Sequence, residues 1–461
     1  MTPRPSFSVT GQRVVVVGAA RSGIAAAELL VRRGATVILS DLRESIPEEA
    51  QLREAGVHLE LGQHSADTFA AADLIVLSPG VAPNQPAIAH ARRSGVAVMG
   101  ELELASRWLR GRIIAITGTK GKSTTTTLAG RMLEAGGHRV RVGGNIGLAL
   151  SAQVDDSTED TIHVVEASSF QLEATDAFRP WIAVLLNFSP DHLDRHASVD
   201  EYAAAKSRIF ANQGREDWAV LNADDQPSLD LARQARGRRV LFAMREPLEE
   251  GIVIAGDSIV RRSRAGDQVL VPVSAVKLLG RHLLADVLAA AAVASIVGVE
   301  PAAMTRAVET FQGLEHALEP TREIAGVRFV NDSKATNIES ALRAIQSFDT
   351  GLVVILGGKF KGGRFADLRD ALVARHAVVV AIGESTPLIH EAFTGAVRVL
   401  DAADMSAAVR TAFASAAPGH TVLLAPACAS FDMFRDYAER GRVFKQNVAR
   451  LAEEWSQGRE Q

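Results

Sequence analysis

The sequence contains a single cysteine, Cys428, in 461 residues. That excludes an intramolecular disulfide framework and any cysteine-rich metal site, and it fits a reducing compartment. Strong net charge is also missing: the formal balance is −4, which supplies no general attraction for nucleic acid or anionic lipid, so any basic site must be local. No run of about eighteen apolar residues occurs anywhere, and nothing is expected to span a membrane. The opening MTPRPSFSVTGQRVVVV has an apolar run too short for a signal-peptide core and no small-residue cleavage site. The expectation is a cytoplasmic protein with no nucleic-acid or membrane partner.

Internal repeats of fixed period and low-complexity tracts are absent too, apart from an alanine run around 284–297. With 47% hydrophobic and 23% charged residues the chain has an ordinary globular composition. At roughly 150 residues per domain its length suggests about three domains. Three series of short β-branched runs alternate with Ala/Leu/Arg-rich stretches. The first contains Arg13 to Val17, Gly23 to Arg33, Thr36 to Leu39 and Leu74 to Leu77. The second contains Arg112 to Ile116, Thr124 to Glu134, Thr161 to Glu166 and Trp181 to Leu186. The third contains Arg328 to Val330, Leu352 to Leu356, Ala377 to Ile382 and Thr421 to Leu424. Each reads as α/β with a parallel sheet. Residues 253–273 alternate like a β-hairpin insertion, and a helical stretch at Leu102 to Leu109 precedes a polar break at Arg110-Gly111-Arg112. The expected domains are 1–111, 112–315 and 316–461: Rossmann-like, P-loop ATPase-like and Rossmann-like.

The segment Arg112-Ile-Ile-Ala-Ile-Thr-Gly-Thr-Lys-Gly-Lys-Ser-Thr124 runs from strand through glycine-rich turn to helix. Gly118 and Gly121 permit turns that aim backbone N–H groups inward, around Thr119 and Lys120. Lys122 can reach nucleotide phosphates, the helix start adds its positive dipole end, and Ser123 or Thr124 can ligate Mg²⁺. Ile116 stands where the usual pattern has its first glycine, so the loop is a shortened variant. A phosphate loop alone names no reaction, and its neighbours must decide. Glu166 ends an apolar strand, where carboxylates commonly face ligands in parallel sheets. The run from Asn187 to His196 gathers two aspartates, two histidines and an arginine within ten residues. Lys206 follows on a small-residue helix, where by itself it reads as a surface lysine.

Taken in order, the phosphate loop, Gly143-Gly-Asn-Ile-Gly147, Glu166-Ala-Ser-Ser-Phe-Gln-Leu172, Asp191-His192, Asp332-Ser-Lys-Ala-Thr-Asn337 and Pro426-Ala-Cys-Ala-Ser430 resemble the Mur ligase family. These are the ATP-dependent amide ligases of peptidoglycan precursor synthesis, and the likeness is greatest to the member that adds glutamate. The resemblance covers Gly18 to about Phe444. It implies that ATP phosphorylates the carboxylate of UDP-MurNAc-L-Ala and that the amine of D-glutamate attacks the acyl phosphate. A sister activity with L-glutamate or another amino acid, and a nucleotide-binding homologue without turnover, are the alternatives.

Residue by residue, the resemblance assigns Lys122, His192 and Lys206 to catalysis. It gives ATP the loop 118–124 with Asp286, Asp332 and Asn337. Ser123, Glu166, His192 and Lys206 hold magnesium, two ions being expected, with Lys206 carbamylated. Gly18, Ser22, Gly23, Asp41, Arg43, Ser78, Gly80 and Asn145 fall at the UDP substrate, and Lys334, Thr336, Lys361, Ser430 and Tyr437 at the amino acid. The first loop, Gly18-Ala-Ala-Arg-Ser-Gly23, has Ala20 where a dinucleotide fingerprint has its middle glycine, and no nicotinamide is implied. The partners are small molecules and the chain is expected to act as a monomer. Ala317, Leu283, Asp286 and Arg364 depart from the family pattern.

Overall fold

The computed structural model describes residues 7–191, 195–277 and 282–457. The described strands form three sheets. In the first, β1 (Arg13–Val17), β2 (Thr36–Asp41), β3 (His58–Leu61), β4 (Leu74–Leu77) and β5 (Ala97–Gly100) lie in the order β3-β2-β1-β4-β5, every pair parallel. The valines of β1 are buried, as a central parallel strand covered on both faces requires.

The second sheet holds β6 (Arg112–Thr117), β7 (Arg139–Gly144), β8 (Thr161–Glu166), β9 (Ile182–Leu185), β10 (Trp218–Asn222), β11 (Arg238–Ala243), β12 (Gly251–Ala255), β13 (Ser258–Ser263) and β14 (Gly266–Pro272). Their order is β14-β13-β12-β11-β10-β9-β6-β8-β7. The expected hairpin at 253–273 is instead a three-stranded antiparallel meander that continues the parallel sheet. The reversals fall at Gly256 and Gly266, both at positive φ. The second lies in a polar Arg-Ser-Arg-Ala-Gly-Asp stretch that carries too little apolar alternation to announce a strand on either side. The helix expected over Leu102 to Leu109 is shorter, Glu101–Ser106.

The third sheet holds β15 (Glu319–Ile324), β16 (Val327–Asn331), β17 (Leu352–Gly357), β18 (Val378–Ile382), β19 (Arg398–Asp401) and β20 (Thr421–Leu424), in the order β15-β16-β20-β17-β18-β19. All its pairs are parallel except the hairpin β15-β16.

The chain folds as two compact units, Met1–Val276 with Ala285–Thr310, and Lys277–Leu284 with Phe311–Gln461. Inside the first unit the polar break at Gly111 is a packed junction. A Cβ there would lie 2.1 Å from the Thr161 carbonyl oxygen. Glu103, wholly buried, accepts the backbone N–H groups of Asp176, Ala177 and Phe178, and Glu101 accepts that of Ser151. These buried carboxylates fasten the first sheet's last helix to the second sheet's loops. Among the described residues no helix is long and apolar enough to cross a membrane.

Candidate active site

The phosphate loop leaves β6 and enters the helix Lys122–Ala135. Gly118 and Gly121 have φ of 155° and 82°. Gly121 is doubly constrained, because a Cβ would lie 2.1 Å from Asp286 Oδ1. The Asp286 carboxylate therefore packs against the loop backbone. The loop is also tied to the chain after β9: Thr119 N–H donates to the Asn187 carbonyl at 3.0 Å and Lys120 N–H to Asn187 Oδ1 at 2.8 Å. Ser189 N–H donates to Thr119 Oγ1 at 3.0 Å.

Three lysines converge on this loop. Lys122 Nζ donates to the carbonyls of Gly118 and Thr119, each at 3.0 Å. Lys206, on the helix Val199–Ser207, donates from Nζ to the same Gly118 carbonyl at 2.8 Å. Lys120 pairs with Asp191 at 3.2 Å. Lys206 is 1% exposed, so the surface reading of this residue fails. Burial, and then the charge of Lys122, hold its pKa well below the ordinary lysine value, against the opposing pull of Asp191 and Glu166. A cluster of cations around a glycine loop at a helix N-terminus is an anion site.

Glu166 ends β8, beside Ile116 of β6 and Gly144 of β7. It is 2% exposed; Oε1 accepts from Asn145 Nδ2 at 2.7 Å and Oε2 has no hydrogen-bond partner. A buried carboxylate oxygen left so is costly unless a cation or donor meets it. Among the described residues no three His, Cys, Asp or Glu side chains gather as a metal cage. A single buried carboxylate oxygen such as that of Glu166 can serve Mg²⁺, which takes one or two carboxylates and completes its shell with water and phosphate. His192 lies outside the described residues.

Asn145 connects Glu166 to a cleft of about 420 Å³ between the first two sheets. Gly18, Ser22, Asp41, Arg43, Ser78, Gly80 and Asn145 line it, at the start of the helix Arg21–Arg32. Asp41 and Arg43 form a two-pronged pair, Nε to Oδ1 at 2.9 Å and Nη2 to Oδ2 at 3.0 Å, and that pair holds the Asp41 carboxyl well below its usual range. Asp41 also accepts the Ala19 N–H at 2.6 Å, which fixes the loop after β1. At Gly23, expected at the UDP substrate, a Cβ would fall 1.8 Å from the Gly18 carbonyl oxygen, so the packing of helix against strand requires glycine here. Gln171 was missed. Its Oε1 closes a capping box with Ser168, while its buried Nε2, at the cleft, has no partner. Only the three-dimensional contacts expose that donor.

In the second unit, Asp332 and Ser333 follow β16. Asp332 accepts the Leu318 N–H at 3.1 Å, and burial pushes its pKa up to about 7. Asn337 caps the helix Ile338–Gln346 through Ser340 N–H at 2.9 Å. Lys334 donates its backbone N–H to the His316 carbonyl at 3.0 Å, and Thr336 bonds back to Lys334 at 2.8 Å. Ser430, buried, starts the turn whose N–H at Phe434 reaches its carbonyl at 2.7 Å. Tyr437 presents a half-exposed ring edge-on to His316. Lys361 is exposed in the loop after β17. Ala317, one of the expected departures from the family pattern, sits between His316 and Leu318, both at positive φ, a strained turn. Arg364 points to solvent and pairs with Asp367.

Sequence models of known families match all three regions: the Mur ligase MurD-like N-terminal domain at 12–100, the Mur ligase middle domain at 116–294 and the Mur ligase glutamate ligase domain at 318–428. The UDP-N-acetylmuramoylalanine--D-glutamate ligase of Koribacter versatilis is 44% identical over 97% of this chain and 99% of its own. That of Acidobacterium capsulatum is 45% identical over 96% and 97%. The fold is that of UDP-N-acetylmuramate-alanine ligase MurC from Thermotoga maritima, at a TM-score of 0.61 and 19% identity over 95% of this chain and all of that one. With its phosphate loop, its buried carboxylate and three α/β sheets in this order, the chain belongs to the Mur ligase family, among the UDP-N-acetylmuramoylalanine--D-glutamate ligases.

Proposed function

We propose that this chain joins D-glutamate to UDP-N-acetylmuramoyl-L-alanine, using ATP, through an acyl phosphate. The observation that carries this reading is the continuous path from the cleft through Asn145 and Glu166 to the lysine-lined phosphate loop. A nucleotide-sugar in the cleft would have its diphosphate at the helix start of Arg21–Arg32, with its carboxylate end directed toward the phosphate loop. A carboxylate is a poor electrophile because its leaving group would be oxide. Phosphorylation replaces that with phosphate, and the amine then attacks carbonyl carbon and expels it. Two anions must approach each other for this, which is why lysines surround the place.

Glu166, Ser123 and His192 would hold Mg²⁺, and the orphaned Glu166 oxygen fits that role. When bound, the ion neutralises phosphate charge. Burial, and then the charge of Lys122, lower the Lys206 pKa, which favours the neutral form of the amine that takes up carbon dioxide. Carbamylation would turn a buried cation into an anion able to face a second ion. Lys122 and the loop N–H groups would hold the ATP phosphates, with Asp286, Asp332 and Asn337 assigned to the nucleotide. Lys334, Thr336, Lys361, Ser430 and Tyr437 would receive glutamate, since cations and hydroxyls suit a dicarboxylate. The enzyme would act in the cytoplasm as a monomer.

The test is ADP release by purified protein with MgATP, the UDP precursor and either glutamate enantiomer. D-glutamate-dependent release with a matching amide product is expected, and Lys122→Ala should abolish it. Release with L-glutamate alone would assign the sister activity, and none with either would leave a binding protein.

A further inference from the structure

The amphipathic helix Tyr437–Gln457 carries an arginine on its buried side. Arg440 is 2% exposed, and its whole fork is engaged by oxygens. Nε donates to Ser333 Oγ at 2.9 Å and Nη2 to the Ser333 carbonyl at 2.9 Å. Nη1 and Nη2 both reach the Cys428 carbonyl at 3.1 Å, and Nη1 also reaches that of Ala429 at 3.2 Å. Burial lowers its pKa only to about 10, so the charge is permanent at neutral pH.

These acceptors belong to two loops, one after β16 and one after β20. A third joins them: Lys359, after β17, exchanges backbone hydrogen bonds with Ala429, 3.0 Å each way. Approach there is so close that a Cβ on Gly358 would lie 2.3 Å from the Ala429 carbonyl oxygen and 3.2 Å from Arg440 Nη1. Because β16, β20 and β17 are neighbours in the sheet, their carboxyl ends open side by side. Without the guanidinium the buried Ser333 and Cys428 carbonyls would lose their donor, whereas that of Ala429 would keep the Lys359 N–H. The planar fork satisfies four oxygen acceptors at fixed angles, which an ammonium cannot do. Ser333 extends the tie by donating to the Tyr437 carbonyl at 2.7 Å.

We infer that Arg440 is the positioning residue of the amino-acid pocket, clamping the three loops that carry Lys334 and Thr336, Lys361, and Ser430 into one receptor for a dicarboxylate. It touches no substrate and acts through those side chains. The inference rests on the glutamate assignment above. The same assay tells the two apart, because wild-type protein must first show glutamate-dependent ADP release.

The experiment compares wild type, Arg440→Lys, Arg440→Gln and, as an exposed control on the same helix, Arg450→Gln. Initial rates are measured while D-glutamate, UDP precursor and ATP are varied in turn, alongside thermal melts. Losing a charged donor to buried carbonyls should raise the KM for D-glutamate by about 10- to 100-fold in Arg440→Gln, and by somewhat less in Arg440→Lys. The precursor KM should stay within about twofold, and the ATP KM, whose Asp332 and Asn337 sit on the loop after β16, should rise by less than that for D-glutamate; Arg450→Gln should match wild type. Should Arg440→Gln fail to fold, Arg440→Lys carries the test. A folded variant with unchanged glutamate KM, or one whose three KM values rise together, would overturn the inference. Loss of folded protein in both Arg440 variants would also overturn it, by assigning the guanidinium to the fold alone.

Discussion

Lys206 in the first unit and Arg440 in the second are both buried cations that donate to backbone carbonyls at the ends of parallel strands. They differ in what burial does to them. The lysine, beside Lys122, is driven toward its neutral form, whereas the arginine stays charged. A lysine is thus placed where the chemistry needs a group that can change charge, and an arginine where it needs fixed geometry.

The sharpest way to break this contrast is to exchange the types. Lys206→Arg keeps a cation and forbids a neutral amine, so turnover should fall by ~10²–10³, with precursor binding by calorimetry retained. If Lys206 serves only as a buried positive charge, the variant will keep most of its activity. Acetate should partly restore Lys206→Ala, since it supplies a small carboxylate where a carbamate would stand.

Asp332 extends the comparison to an anion. Its raised pKa means that the folded state holds a proton more tightly than the unfolded chain between about pH 4 and 7. Its contribution to stability is therefore complete below the unfolded value and is lost as pH rises toward 7. Asp332→Asn should gain stability relative to wild type across that window, by on the order of 1–4 kcal/mol above pH 7. Chemical denaturation at several pH values reads this, and a pH-independent difference would rule out a buried, protonated carboxyl. Next in size, Arg43→Ala should raise the precursor KM about tenfold while leaving that for glutamate unchanged, because its pair with Asp41 belongs to the cleft alone. The smallest effect expected is from Asn337→Ala, which removes a helix cap worth about 1 kcal/mol. An unchanged melting temperature there would show that the cap contributes nothing.

Much of the fold was legible because parallel strands buried on both faces read as continuous β-branched runs. Thr161–Glu166 and Thr421–Leu424 lie where their apolar pattern predicts. Strands at or toward sheet edges were not: β3 and β19 mix charged and apolar residues and carry no such signature. The phosphate loop declared itself through Gly118, Gly121 and Lys122, whose spacing reflects local backbone demands. Gln171, Arg440 and the packing role of Gly23 depend on which distant segments meet, and neither spacing nor composition reports that. Lys206 shows the gap most plainly, since its helix looks solvent-facing until the loop after β6 closes over it.

The most direct test follows heavy oxygen. With oxygen-18 in the terminal carboxylate of the UDP precursor, activation as an acyl phosphate transfers one labelled oxygen to the inorganic phosphate released on amide formation. Mass spectrometry of that phosphate should find the label in proportion to product. Amide formation with unlabelled phosphate would contradict the account.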